Sequence, residues 1–304
     1  MEAKHFITLS DLEPKDLTDL LDLSAKMKSN PGDYRTSLAG KALAMIFQKP
    51  STRTRVSFQV GVQQLGGYAV VLSNDEIQIG HGETIADTAR VLSRYVDGIM
   101  ARVFADDDVV QLRKYSSVPV ISGLSDLYHP CQAVADFLTI RESFGELKGL
   151  PITYIGDGNN VAHSLAFATA KLGCKLTIIT PEGYEPNETV MAEARKAGKA
   201  TGADISLTTD PAAVANSKVV YTDTWASMGQ EKERQERIKI FTPYQVSEAR
   251  FAEAADDAIF LHCLPAHRGE EVVDAVADHP RSKIFDQAEN RLHTQKAIMH
   301  TLMG

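Results

Sequence analysis

The densest donor chemistry in the chain lies in Lys49-Pro50-Ser51-Thr52-Arg53-Thr54-Arg55, where two arginines and three hydroxyls fall within five residues. The apolar run 42–47 ahead of it reads as a buried strand. Val56, Phe58, Val60 and Val62 after it are assigned to a helix by context. Ser51 then stands as N-cap, its hydroxyl accepting from a first-turn N–H. A helix N-terminus adds N–H donors and a partial positive charge. So much donor capacity suits a dianionic, acceptor-rich ligand, phosphate foremost. The plain alternative is a capped helix with solvated arginines.

Other candidates stand at the carboxyl ends of expected strands. Arg102 closes the strand 97–102, where a ligand contact and a surface ion pair are equally natural. His129-Pro130-Cys131-Gln132 opens a helix, with Pro130 suited to its first turn. His129 and Gln132 are one turn apart and can face one ligand, although a histidine there is commonly a structural hydrogen-bonder. Gly156-Asp157-Gly158-Asn159-Asn160-Val161-Ala162 is close to a dinucleotide loop, with Glu182 where a ribose-binding acid would stand. Val161 holds the third glycine's position, however, and the other reading is a small polar ligand held by an asparagine. Asp223 ends a strand and suits an ammonium group or a turn. His262-Cys263-Leu264-Pro265-Ala266-His267 lacks the second ligand pair of a zinc finger, which argues against metal. Cys263 as a nucleophile stays open, given a neighbouring base. Arg291, near the start of the last helix, can reach an anion.

These residues need a scaffold, and the pattern supplies an α/β one. The chain has 304 residues, enough for two domains. Strands are expected at 42–47, 68–72, 97–102 and 118–121, with helices at 10–28, 53–65, 84–95, 106–115 and 131–144. Ser10 or Asp11 is the expected cap of the first helix. Glu146–Pro151 is the expected boundary. After it come strands at 152–155, 175–179, 204–208, 218–222 and 258–262, and helices at 160–172, 187–200, 211–216 and 243–249. The charge-rich stretch 225–240 reads as a solvated helix or a mobile loop over a site. A final helix runs from Asp286 to Met303. The result is two doubly wound parallel sheets, whose ligands sit beyond the strand carboxyl ends.

Net charge is −8, against a broad nucleic-acid-binding surface. Three scattered cysteines, Cys131, Cys174 and Cys263, read as reduced thiols of a cytoplasmic protein. No signal-peptide core or membrane-length apolar run is present in the sequence.

Taken together, in order along essentially the whole chain, these motifs resemble the aspartate/ornithine carbamoyltransferase family. Ser51–Arg55 and His129–Gln132 are shared across it. Asp223 with Ser227-Met228-Gly229, and His262-Cys263-Leu264-Pro265, are its ornithine-type features. The resemblance implies carbamoyl transfer from carbamoyl phosphate to the δ-amine of L-ornithine, giving citrulline and phosphate in arginine metabolism. A relative acting on putrescine, aspartate or a modified ornithine is the alternative. It implies that Ser51, Thr52, Arg53, Thr54 and Arg55 hold the phosphate, and that Thr54, Arg102, His129 and Gln132 polarise the carbonyl. Pro130, Cys131, Cys263, Leu264 and Arg291 would complete that pocket, with Gln78 supplied by a neighbouring subunit. Asn160, Asp223, Ser227 and Met228 would hold ornithine. Arg102, His129, Asp223 and Cys263 are the catalytic candidates. The domains implied are 1–146 for carbamoyl phosphate, with 287–304 packing back on it, and 147–286 for ornithine. The active site is expected in the cleft between them, without metal or cofactor, in a homotrimer or a multiple of trimers.

Overall fold

The structure is a computed structural model that describes residues 4–73, 82–226 and 231–304. The chain runs α1 (Pro14–Ser29), β1 (Ala42–Phe47), α2 (Thr52–Gln64), β2 (Tyr68–Ser73), α3 (Ile85–Leu92), β3 (Gly98–Arg102), α4 (Asp106–Tyr115), β4 (Val120–Leu124) and α5 (Pro130–Phe144). It continues through β5 (Pro151–Ile155), α6 (Asn160–Leu172), β6 (Lys175–Ile179), α7 (Glu188–Gly198), β7 (Asp204–Thr208), β8 (Val219–Thr222) and α8 (Arg234–Phe241). Last come α9 (Glu248–Ala252), β9 (Ile259–His262), α10 (Asp274–Ala277) and α11 (Ile284–Met303). Contacts divide the chain into Met1–Leu138 with Glu289–Gly304, and Thr139–Ala288. The break falls inside α5, ahead of the Glu146–Pro151 loop. No helix among the described residues is long and apolar enough to cross a membrane.

The first unit holds a four-stranded parallel sheet in the order β2-β1-β3-β4. Every residue of β1 is buried. An apolar run without alternation requires that, because helices cover both faces of such a sheet. Ile46, Ile99, Val109, Leu112 and Val120 share one core beside it. The chain leaves β1 for β2 on one side and returns through α3 to β3 on the other. The carboxyl ends of β1 and β3 therefore flank the reversal point where ligands of such sheets bind.

The second unit repeats the design with five parallel strands, ordered β7-β6-β5-β8-β9. Its reversal lies between β5 and β8. The loops after β5, β8 and β9 carry Asn159, Asp223 and Cys263.

Differences from the sequence reading have local causes. The first helix starts at Pro14, not at Ser10. Proline lacks an N–H and suits that first position, while Leu9–Asp11 forms a separate 3-10 turn capped by Thr8. Residues 211–216 reduce to a 3-10 turn, Pro211–Val214. The expected helix at 243–249 breaks because the Val246 N–H donates to the Glu271 carbonyl at 2.9 Å. Ser247 then caps α9, its hydroxyl accepting from the Arg250 N–H. The charge-rich stretch becomes a 3-10 turn, Glu231–Glu233, and α8, whose Arg237 is buried rather than solvated.

Candidate active site

In the first unit the phosphate-type turn forms as β1 ends. Ser51 is the N-cap of α2, its Oγ accepting from the Thr54 N–H at 3.2 Å. The N–H groups ahead of the first intrahelical bond have no acceptor within the helix. Ser51, Thr52 and Arg55 line an open hollow of about 570 Å³ with Phe47, Gln48, Pro50, Val56 and Ser73. Thr54, on the first turn of the same helix, is buried beside this hollow rather than on its open wall.

Thr54 is reached from the far end of the chain. Arg291 Nη2 donates to Thr54 Oγ1 at 3.3 Å, and Arg291 Nη1 donates to Gln132 Oε1 at 2.7 Å. With its amide oxygen turned toward Arg291, Gln295 accepts from Nε at 3.0 Å and Nη2 at 2.8 Å. Gln132 is itself oriented, because its Nε2 donates to Asp136 Oδ1 at 2.8 Å. Gly61 permits this approach of α11 to α2: a Cβ there would stand 3.0 Å from Met299 Cε. Asp136 and Gln295 carry no signal of this in the sequence, where buried and exposed helical polar residues look alike.

His129 is buried at the start of α5, where its carbonyl accepts from the Gln132 and Ala133 N–H groups. Burial, and then the charges of Arg291, Arg102 and Arg53, hold its imidazole well below the ordinary histidine pKa. His129 is therefore a neutral donor, not a cation. Arg102, also buried, ends β3, and its carbonyl accepts from the Gln48 N–H at 2.9 Å. Pro130 occupies the first turn of α5. Cys131 sends its thiol into the sheet, donating to the Ser122 carbonyl at 3.2 Å, and burial pushes its pKa up to about 12. Its side chain is a packing element.

The second unit gathers a different set. Asp223 is buried at the end of β8. Its Oδ2 accepts from Asn159 Nδ2 at 2.7 Å and its Oδ1 from the Cys263 thiol at 2.9 Å. Asn159 also caps α6, its Oδ1 accepting from the Val161 and Ala162 N–H groups. The asparagine tied to Asp223 is thus Asn159, whereas Asn160, one residue on, is the first residue of α6. Gly158 serves chain packing: a Cβ there would fall 2.2 Å from Pro186 N. That accounts for this glycine without a dinucleotide. Asp157 beside it pairs with Arg237 at 3.2 Å, and Arg237 also donates to the Trp225 carbonyl at 2.9 Å.

The turn carrying Cys263 is fixed from behind. The Leu264 N–H donates to His262 Nδ1 at 2.8 Å, so the ring proton sits on Nε2 and faces Glu271 Oε1 at 3.1 Å. Both imidazole nitrogens are engaged, leaving no lone pair for a metal ion, although Asp223, His262 and Cys263 cluster closely. Leu264 takes a left-handed φ of 59°, a conformation that costs a residue with a Cβ about 1–2 kcal/mol. Glu271 supports it: fully buried, its Oε1 also accepts from the His267 N–H. Gln78, Ser227 and Met228 lie outside the described residues.

Comparison with known proteins also divides the chain in two, although the second match runs on into the last helix, whose residues Glu289–Gly304 belong with the first unit. Residues 4–142 match the aspartate/ornithine carbamoyltransferase carbamoyl-P binding domain, and residues 148–302 match the Asp/Orn binding domain. The chain is 55% identical over 306 residues to an ornithine carbamoyltransferase of Anoxybacillus flavithermus, covering 100% of this chain and 98% of the relative. It is equally 55% identical over 307 residues to that of Thermococcus kodakarensis, with the same coverage of 100% and 98%. Among solved structures, the Pyrococcus furiosus ornithine carbamoyltransferase is similar with a TM-score of 0.96 at 53% identity, covering 99% of this chain and 97% of that one.

Proposed function

The chain belongs to the aspartate/ornithine carbamoyltransferase family, and we propose a division of labour by which it carbamoylates the δ-amine of L-ornithine. Carbamoyl phosphate is the donor; citrulline and phosphate are the products, in arginine biosynthesis. The observation that carries the residue-level reading is the pair of strand-end clusters. One is cationic and hydroxyl-rich around Ser51 and Arg291, the other acidic and thiol-bearing around Asp223.

In the first cluster, Ser51, Thr52, Arg53, Thr54 and Arg55 hold the phosphate. Charged hydrogen bonds contribute about 1.5–3 kcal/mol each, so a few offset the desolvation of the dianion. Arg102, His129 and Thr54 face the carbonyl oxygen, where negative charge grows as the amine attacks. One such donor contributes about 3 kcal/mol to the transition state. Neutral His129 supplies an N–H there without adding to the cationic crowd. Gln132, Arg291, Cys263 and Leu264 complete the carbamoyl pocket, with the backbone of Pro130 and Cys131.

In the second cluster, Asp223, Asn159 and Asn160, with Ser227 and Met228, hold the amino-acid end of ornithine. A lysine-like amine has a pKa near 10.4, so about one in 250 is neutral at pH 8. The arginine field opposes a nearby ammonium and favours the free base. The amine attacks the carbamoyl carbon, the C–O bond to phosphate breaks, and the amine's proton leaves along the Cys263–Asp223 direction or with phosphate. The donor carries its own activation, so this chemistry asks for no cofactor.

Copies of the chain associate as trimers or multiples of trimers, with Gln78 reaching a neighbour's site. Exposed Val56, Val60, Tyr68 and Val70 on α2 and the edge strand β2 support this, since such an edge and apolar face call for cover. Free thiols at Cys131, Cys174 and Cys263 support a reducing cytoplasmic setting. The test is citrulline formation by the purified chain, with putrescine, aspartate and an N-modified ornithine as competing acceptors. Ornithine should dominate. Preference for another acceptor, or no phosphate release, overturns the reading.

A further inference from the structure

Tyr154 stands one residue from the end of β5 and has no part in the roles above. It is fully buried. Its ring packs beside that of Tyr221, its register partner on β8, with centroids 5.8 Å apart. Such ring packing needs no hydroxyl, and a buried hydroxyl must find a partner. The Tyr154 hydroxyl finds its partners in the loop that follows its own strand. It donates to the Asp157 carbonyl at 2.9 Å and shares that proton with Asn159 Oδ1 at 3.3 Å. The same Asp157 carbonyl accepts from the Asn159 N–H at 2.8 Å. The phenol thus fastens both ends of a tight turn to the sheet. Asn159 Oδ1 also accepts from the Val161 and Ala162 N–H groups, so three donors converge on that oxygen. The amide nitrogen is left for Asp223 Oδ2, 2.7 Å away. Burial, and then the charges of Asp223 and Asp157, hold the phenol well above the ordinary tyrosine pKa. It therefore stays a donor and is not a proton source for the chemistry.

We propose that Tyr154 is a positioning residue for the ornithine site, its hydroxyl holding the Asp157–Asn159 turn so that the Asn159 amide presents its N–H to Asp223. The inference rests on the assignment of Asn159 and Asp223 to the amino-acid end of ornithine. With Oδ2 held by Asn159 and Oδ1 by the Cys263 thiol, the carboxylate has one orientation to offer an ammonium group. Tyr154 acts through Asn159 and touches no substrate itself. Without the phenol the turn can relax, and the amide loses its aim at Asp223. The cost should fall on ornithine rather than on carbamoyl phosphate, whose phosphate-binding candidates Ser51–Arg55 lie in the other unit.

Tyr154→Phe removes the hydroxyl and keeps the ring beside Tyr221. Initial rates at saturating carbamoyl phosphate should show an ornithine KM raised about three- to tenfold, the net loss of one buried hydrogen bond. The KM for carbamoyl phosphate should stay within about twofold, and the thermal midpoint within a few degrees of the parent's. Asn159→Ser supplies a second arm. Serine keeps a helix cap but has no amide to aim, so Tyr154→Phe in that background should raise the ornithine KM by less than about twofold. Asp223→Asn is measured alongside. If it leaves the ornithine KM unchanged, the assignment of the ornithine cluster fails, and this inference with it. If Asp223→Asn weakens ornithine and Tyr154→Phe does not, the inference alone is overturned. Equal weakening of both substrates by Tyr154→Phe, or an undiminished effect in the Asn159→Ser background, marks the hydroxyl as structural and also overturns it.

Discussion

Arg291 Nη1 donates to Gln132 Oε1 at 2.7 Å, and this bond joins the last helix to the start of α5 within one unit. It depends on a third residue. Gln132 can present its oxygen because Asp136 Oδ1 takes the amide N–H at 2.8 Å. An amide offers one acceptor end and one donor end, so the carboxylate decides which end meets the arginine.

Asp136→Asn should remove that decision. The new amide can face Gln132 with either end, and the oxygen no longer points steadily at Arg291. The variant should stay folded, with kcat/KM for carbamoyl phosphate down about ten- to a hundredfold. Steady-state kinetics with the parent as reference checks this. Unchanged kinetics would show that Gln132 is oriented by other means.

Asp157 ties acidity to stability. Burial pushes its carboxyl up to about 6, with Arg237 acting against the shift. An aspartate in the unfolded chain titrates near 3.9. Between about pH 4 and 6 the folded state therefore holds a proton that the unfolded state has lost, and stability from this group falls as pH rises. The span is worth up to about 3 kcal/mol. Asp157→Asn removes the slope, because the amide does not titrate in this range. Urea unfolding at several pH values should show the variant gaining on the parent by about 1–3 kcal/mol from pH 4 to 7. A constant difference would contradict the assignment.

How far these features are readable without coordinates depends on the kind of residue. Strand β1 is readable because six consecutive apolar residues fit a doubly covered sheet, and all six are buried. The two-sheet α/β architecture follows from the alternation of such runs with helical stretches, and it is what the fold has. Ser51 is readable as a cap because capping is local chemistry. Arg237 is not, because a charge-rich stretch looks solvated until Asp157 and Tyr184 are brought beside it. Asn159 and Asn160 differ by one position, and only the cap geometry says which reaches Asp223. Asp136 and Glu271 are acids of ordinary appearance whose burial comes entirely from tertiary packing.

The Cys263 thiol donates to Asp223 at 2.9 Å, which places it to orient that carboxylate or to pass a proton. Cys263→Ser keeps a donor but changes its acidity and reach. Ornithine KM should stay within about threefold, while kcat falls about tenfold with a shifted alkaline limb. Cys263→Ala, which leaves Oδ1 without this donor, should lose more. A serine variant with full turnover and the parent's pH profile would exclude the relay.

The central claim is that the turn beginning at Ser51 grips a phosphoryl dianion. Equilibrium binding of carbamoyl phosphate to the parent protein and to Arg53→Ala, with circular dichroism confirming equal folding, tests it most directly. The account predicts saturable binding to the parent and loss of about a hundredfold or more in the variant. Equal binding by both proteins would contradict it.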